Sequence, residues 1–300
     1  MVSSNRGTRL ARDPRFAVVA ILLSAGVVAA CSHNGAPATP AAPATVSAAQ
    51  ARIEFPPAEK FGGFDARRAF AHMETTVGYG PRPVGSEGSR KSQEYIKAQL
   101  AASGCAVEED NFEASTPIGR QKMKNILGKA AGEKQEIILL LSHYDTKLDS
   151  AVPNFVGAND PGASLGSVLE LARLLCAPGR KRNVNYWFGF TDGEEAFGEW
   201  SDINGTFGSR QMAAKFAASG DLKKIKAVVL LDLMGHFDLA IRREEYSTDW
   251  LQDLIWATAK RLGYEKEFPN VPAAGVEDDH LPFLRRKVSA VDLIDINYPH

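Results

Sequence analysis

Residues 184–195, VNYWFGFTDGEE, pass without a break from an apolar run into two adjacent carboxylates. The run Val184–Phe190 reads as a buried strand. It ends at Glu194 and Glu195, whose like charges repel, so a buried strand end bearing both calls for a compensating cation. The plainer alternative is an acidic first turn that favours the dipole of a following helix. The longer stretch from Phe188 to Arg210, FGFTDGEEAFGEWSDINGTFGSR, is the segment the rest of the chain is organised to present.

Working outward, the same pattern recurs. Glu136–Ser142 (EIILLLS) is a near-continuous apolar run, the signature of a strand covered on both faces, and it delivers His143-Tyr144-Asp145 at its carboxyl end. Ala227–Asp232 (AVVLLD) is another such strand ending in a carboxylate. Asp160 lies in a loop of small residues, Val156–Ser164, where flanking glycines let backbone approach a bound ion; a helix cap is the plainer reading of it. A His at a strand end is commonly structural, but Asp145 two residues on is able to hold its imidazole in one tautomer. Helical spacing marks 65–77, 86–103, 165–175, 209–218 and 248–262, the last with Thr248 as its expected cap. Strands are expected at 106–112, 123–128 and 288–294. Three apolar strands ending in His143, Glu194/Glu195 and Asp232, joined by the Asp160 loop, converge on one sheet edge of an α/β fold. Imidazole and carboxylate without thiolate suit zinc in a hydrolytic or acyl-transfer site.

Composition narrows the function classes. The 300 residues are 44% hydrophobic and 24% charged with a net charge of −1, so no global basic field points to nucleic acid. Arg6, Arg9, Arg12 and Arg15 precede an apolar stretch, Phe16–Ala30, of signal-peptide length. It ends in Val28-Ala29-Ala30-Cys31, which resembles a lipobox and makes Cys31 the expected lipidation site. Residues 1–31 are thus read as a lipoprotein signal, 32–54 as an Ala/Pro-rich tether, and 55–300 as one catalytic domain. The chain is expected in the bacterial cell envelope, facing periplasm or exterior, touching the membrane only through a lipid anchor. Cys105 and Cys176 remain, either paired or as buried free thiols; both readings are open.

From about Phe61 to the end, the residues resemble the zinc aminopeptidase family, and within it the glutaminyl cyclase branch. The carriers are His143-Tyr144-Asp145, Gly157-Ala158-Asn159-Asp160, Asp192–Phe197 with Trp200, Phe207–Arg210, Leu231–Gly235 and Asp278–Arg286. The resemblance implies a three-layer sandwich with a central mixed, mostly parallel sheet flanked by helices. It implies Asp160 and Glu195 as zinc ligands, Glu194 as general acid/base, Asp232 and Asp279 as a buried acid pair sharing a proton, and Trp200 lining the pocket. The implied reaction converts the N-terminal glutamine of a peptide or protein to pyroglutamate with release of ammonia, using one zinc. The family's last zinc ligand is a His in a Trp-His-Thr motif; aligned through Val288–Pro299 it falls a few residues beyond His300, so a truncated sequence is expected, with His300 as a doubtful substitute. The disulfide of the animal cyclases is absent, because Ser142 and Leu165 stand at the matching positions. Two alternatives stay open: a zinc exopeptidase in which His143 and Asp232 recruit a second metal bridged by Asp160, and a non-catalytic binding lipoprotein.

Overall fold

The computed structural model describes residues 54–148, 152–198, 200–201 and 203–297. The expected leader and lipidation site, all of the tether but its last residue, and His300 therefore lie outside the described residues. Helices α1 (Ala66–Val77) and α2 (Glu87–Ala102) precede strands β1 (Ala106–Thr116) and β2 (Gly119–Ala130). Strand β3 (Ile137–His143) leads through a π-helical turn, Ala158–Ala163, into α3 (Ser164–Cys176) and then β4 (Asn185–Thr191). There follow α4 (Phe207–Ser219), β5 (Ile225–Asp232), β6 (Arg243–Glu244), α5 (Asp249–Leu262), β7 (Pro272–Ala273), α6 (Leu281–Leu284) and β8 (Ala290–Ile294). Among the described residues no helix is long and apolar enough to cross a membrane.

The main sheet has the order β1-β2-β4-β3-β5-β8. Strands β1, β2 and β4 pair antiparallel, whereas β4, β3, β5 and β8 run parallel, which is the expected mixed and mostly parallel sheet. Alternation along β3 builds the two faces. Ile138 and Leu140 join one core with Leu100 of α2, Val168 and Leu171 of α3 and Ile255 of α5. Ile137, Leu139 and Leu141 join the other with Met212 and Phe216 of α4 and with Phe283. Three layers result, and the continuous apolar runs of the sequence are the strands buried on both sides.

The helix starts follow the polar residues ahead of them. Asp65 accepts the Arg67 amide at 2.9 Å and Ser86 accepts the Ser89 amide at 3.0 Å, capping α1 and α2. Thr248 does not cap α5; its hydroxyl accepts the Ala290 amide at 3.1 Å instead, tying that helix start to β8. Nor does a helix follow Glu194 and Glu195, since the next one begins at Phe207. The helix-dipole reading of the pair fails for that reason. Cys105 and Cys176, left open by the sequence, form a disulfide with a Cα–Cα separation of 5.1 Å, joining the chain ahead of β1 to the end of α3.

Candidate active site

The parallel register sets His143 of β3 beside Thr191 of β4, and β5 ends on the far side of β3 in Asp232. His143 is almost fully buried, with Nε2 3.0 Å from Asp160 Oδ1 and 3.4 Å from Asp232 Oδ1. One ligand atom from each of His143, Asp160 and Asp232 lies within 4.8 Å of the others. Asp160 reaches this point from the π-helical turn, where its own backbone is non-helical, φ −109° and ψ 98°. It therefore faces the strand ends and caps no helix.

Asp145 does not grip the imidazole as the sequence suggested. It lies 3.7 Å from His143 Nδ1, beyond hydrogen-bond range. Its two oxygens accept the amides of Glu194 and Glu195, at 3.1 and 3.3 Å. With Gly193 at φ +69°, a conformation glycine adopts freely, these bonds bend the chain so that both glutamates turn back over the sheet edge. Asp192 points away, accepting the Lys124 amide at 3.0 Å, and serves to join β2 to β4.

The acids press on one another. Burial, with the charges of Asp278, Glu195 and Asp279, drives the Glu194 pKa well above its ordinary value against the pull of His143. Burial and the charge of Asp160 push Glu195 up to about 8. Asp232 is raised by burial and then by Asp160. For His143, burial opposes protonation, but Glu194, Asp145, Asp160 and Asp232 together outweigh it and hold the ring well above its usual range.

A divalent cation fits this arrangement. Neither ring nitrogen of buried His143 makes an aligned hydrogen bond, although Nε2 lies 3.0 Å from Asp160 Oδ1, and the acids around it are desolvated with too little positive charge among them. Nitrogen and carboxylate donors suit zinc.

Of the adjacent acids Asp278 and Asp279, it is Asp278 that feels the charge of Asp232, while both act on Glu194. The pKa of Asp278 is raised well above the ordinary carboxylate range by burial first and by the charge of Asp232 second, and its charge in turn acts on Glu194. Asp279 accepts the Thr191 hydroxyl through its carboxylate. Behind Asp278 lie Asp292, and then His280 with Nε2 3.4 Å from Glu244, all buried. Trp200 is 43% exposed. The Lys147 ammonium sits 5.2 Å from its ring centroid and 3.6 Å from Glu195 Oε2. Sequence reasoning missed Lys147, Asp278, Asp292 and Glu244; an acid within an apolar strand, as Asp292 is, was the available signal.

The model of peptidase family M28 matches residues 125–300. The chain belongs to peptidase family M28. The matched span includes every site residue named above, from His143 to Asp292. The chain is 31% identical over 242 residues to a glutaminyl-peptide cyclotransferase of Drosophila melanogaster, the match covering 73% of this chain and 68% of that one. The crystal structure of an Acidobacteriales bacterium glutaminyl cyclase matches with a TM-score of 0.73 at 35% identity, covering 87% of this chain and 85% of the other. A leucine aminopeptidase precursor from Bacteroides thetaiotaomicron VPI-5482 matches with a TM-score of 0.71 at 25% identity, over 79% and 87%. The M28 fold thus accommodates both kinds of relative, and the assignment between them turns on the site.

Proposed function

We propose that this M28 protein is a zinc-dependent glutaminyl-peptide cyclotransferase acting on peptide or protein N-termini. The observation that carries the reading is Glu194: a buried carboxylate beside the candidate metal ligands, backed by a second acid, Asp278, and held near a proton-sharing state by burial and like charge. Asp160 and Glu195 would hold the zinc. Bound there, zinc supplies a Lewis acid for the side-chain carbonyl of the substrate glutamine.

The chain's own residues do the rest. Glu194 takes a proton from the α-amine as its nitrogen bonds to the side-chain carbonyl carbon, and returns it to the amide nitrogen as that C–N bond breaks and ammonia leaves. Asp232 and Asp278 share charge behind Glu194 and keep its proton affinity high enough for both transfers. Trp200 offers an aromatic wall. Export with a lipid anchor on Cys31 belongs to the same proposal, and the Cys105–Cys176 disulfide supports it, because such bonds persist in oxidising compartments.

A second reading has its own observation. The His143, Asp160 and Asp232 grouping is a second metal position that would make Asp160 a bridge and the protein a two-metal exopeptidase. Incubation with Gln-initiated and Leu-initiated peptides separates the two: cyclisation releases ammonia without shortening the peptide, whereas peptidolysis shortens it. Neither product with either peptide would sink both and leave a binding role. Metal analysis adds a count near one zinc for the cyclase and near two for the exopeptidase.

A further inference from the structure

Arg82, from the loop Gly80-Pro81-Arg82-Pro83, is fully buried and is the largest such side chain in the described part of the chain. Among the described residues it makes no ion pair. Its guanidinium is spent on carbonyls: Nε donates to Tyr144 at 3.2 Å, Nη1 to Val156 at 2.7 Å and Thr76 at 3.2 Å, and Nη2 to Gly157 at 3.0 Å. Its own amide donates to Thr146 Oγ1 at 2.8 Å. A buried cation without a contacting carboxylate is expensive to keep, so its retention calls for a reason.

The acceptors supply one. Tyr144 follows His143 and precedes Asp145, while Val156 and Gly157 lead into the turn that carries Asp160. The Gly157 carbonyl also accepts the Gly162 amide at 3.1 Å, so one oxygen both closes the turn around Asp160 and receives Arg82. Gly157 sits at φ +53°, and an added Cβ would lie 2.0 Å from the Asp160 carbonyl oxygen. The turn is thus compact and is held from outside by a single planar fork. We propose that Arg82 is a positioning residue of the site: its guanidinium locks the Asp160 turn to the strand end bearing His143 and Asp145, setting the spacing of the candidate metal ligands. Five N–H donors in one plane bridge two backbone segments in a way that a lysine cannot. Its charge also lies within the field of Asp145 and Asp160, where it relieves part of their repulsion.

This inference rests on Asp160 being a metal ligand, and two readouts on the whole chain keep it separable from that reading. Hydrogen exchange of residues 156–163, measured without added metal, reports positioning alone. Zinc affinity, measured by chelator competition, reports its consequence. Arg82→Lys keeps the charge and loses the fork; it should speed exchange of 156–163 and weaken zinc binding, each about tenfold, the equivalent of one lost charged hydrogen bond. Arg82→Gln should do more in both. Ile96→Val, a core change on α2, should leave both readouts near those of the unchanged chain. Unchanged exchange or unchanged zinc affinity in both Arg82 variants overturns the proposal, as does an equal loss in Ile96→Val. Should both Arg82 variants fail to fold, Thr146→Val frees the Arg82 amide while keeping the guanidinium, and no rise in exchange at 156–163 then counts against it. A chain that binds no zinc refutes the metal reading, and exchange alone then decides the role of Arg82.

Discussion

Asp145 Oδ1 accepts the main-chain amide of Glu194 at 3.1 Å. The carboxylate that the sequence offers as a partner for His143 is therefore the clasp that bends the acidic turn. Asn at this position keeps the shape but has a single accepting oxygen, so one of the two glutamate amides loses its partner. Asp145→Asn should cost about 1–3 kcal/mol in urea unfolding, and turnover should fall with it. Undiminished stability would count against the clasp.

Glu194→Gln removes the proton carrier while preserving volume. Turnover of a Gln-initiated peptide should drop about 10²–10⁴-fold, with zinc content unchanged by metal analysis. Retained turnover would move the proton-transfer role to another group.

Asp278 and Asp279 adjoin in sequence and differ in task. Asp278→Asn should lower turnover about tenfold with a modest change in melting temperature, because its buried carboxyl feels the charge of Asp232 and acts on Glu194. Asp279→Asn should chiefly lower the melting temperature, since its carboxylate accepts the Thr191 hydroxyl. The reverse pattern would restore the pairing first drawn from the sequence.

The Cys105–Cys176 disulfide spans 71 residues of sequence. Loop-closure entropy for that span is worth about 4 kcal/mol in the unfolded chain. Urea unfolding of Cys105→Ala/Cys176→Ala should show a loss of that order, and reductant should destabilise the unchanged chain but not the variant.

His72 donates to or accepts from the Tyr95 hydroxyl through Nδ1 at 2.7 Å, and burial first, then Arg68 and Arg173, lowers its pKa from 6.5 to about 4. A depressed folded-state value means the unfolded chain binds the proton first. This contribution to stability is complete above pH 6.5 and is lost as pH falls toward about 4, on the order of 3 kcal/mol. His72→Phe should flatten the stability profile across that window, and an unaltered slope would assign the loss to other groups.

The strand ends were legible because β3, β4 and β5 are apolar runs that stop abruptly at polar residues, and buried strands of a mostly parallel sheet must read that way. Other features were hidden for physical reasons. Adjacent acids such as Asp278 and Asp279 separate only once the direction of the chain into α6 is known. Arg82 sits between two prolines, where no periodicity marks a buried side chain. The partners Cys105 and Cys176 meet only after α3 has packed across the sheet. Thr248 carries the composition of a cap, yet tertiary structure gives its hydroxyl to Ala290.

The hairpin of β1 and β2 bears on how anything reaches the site. Its last pairing to β4 joins Ile126 to Phe190, near the strand end that leads to Glu194, while the turn lies back at Thr116–Gly119. Seven residues of extended β2, roughly 23 Å, therefore project past that pairing on the side where the acids gather. The sheet edge is a platform with a parapet along one flank. Lengthening or trimming that parapet would reshape the approach without disturbing a core residue of β3 or β5.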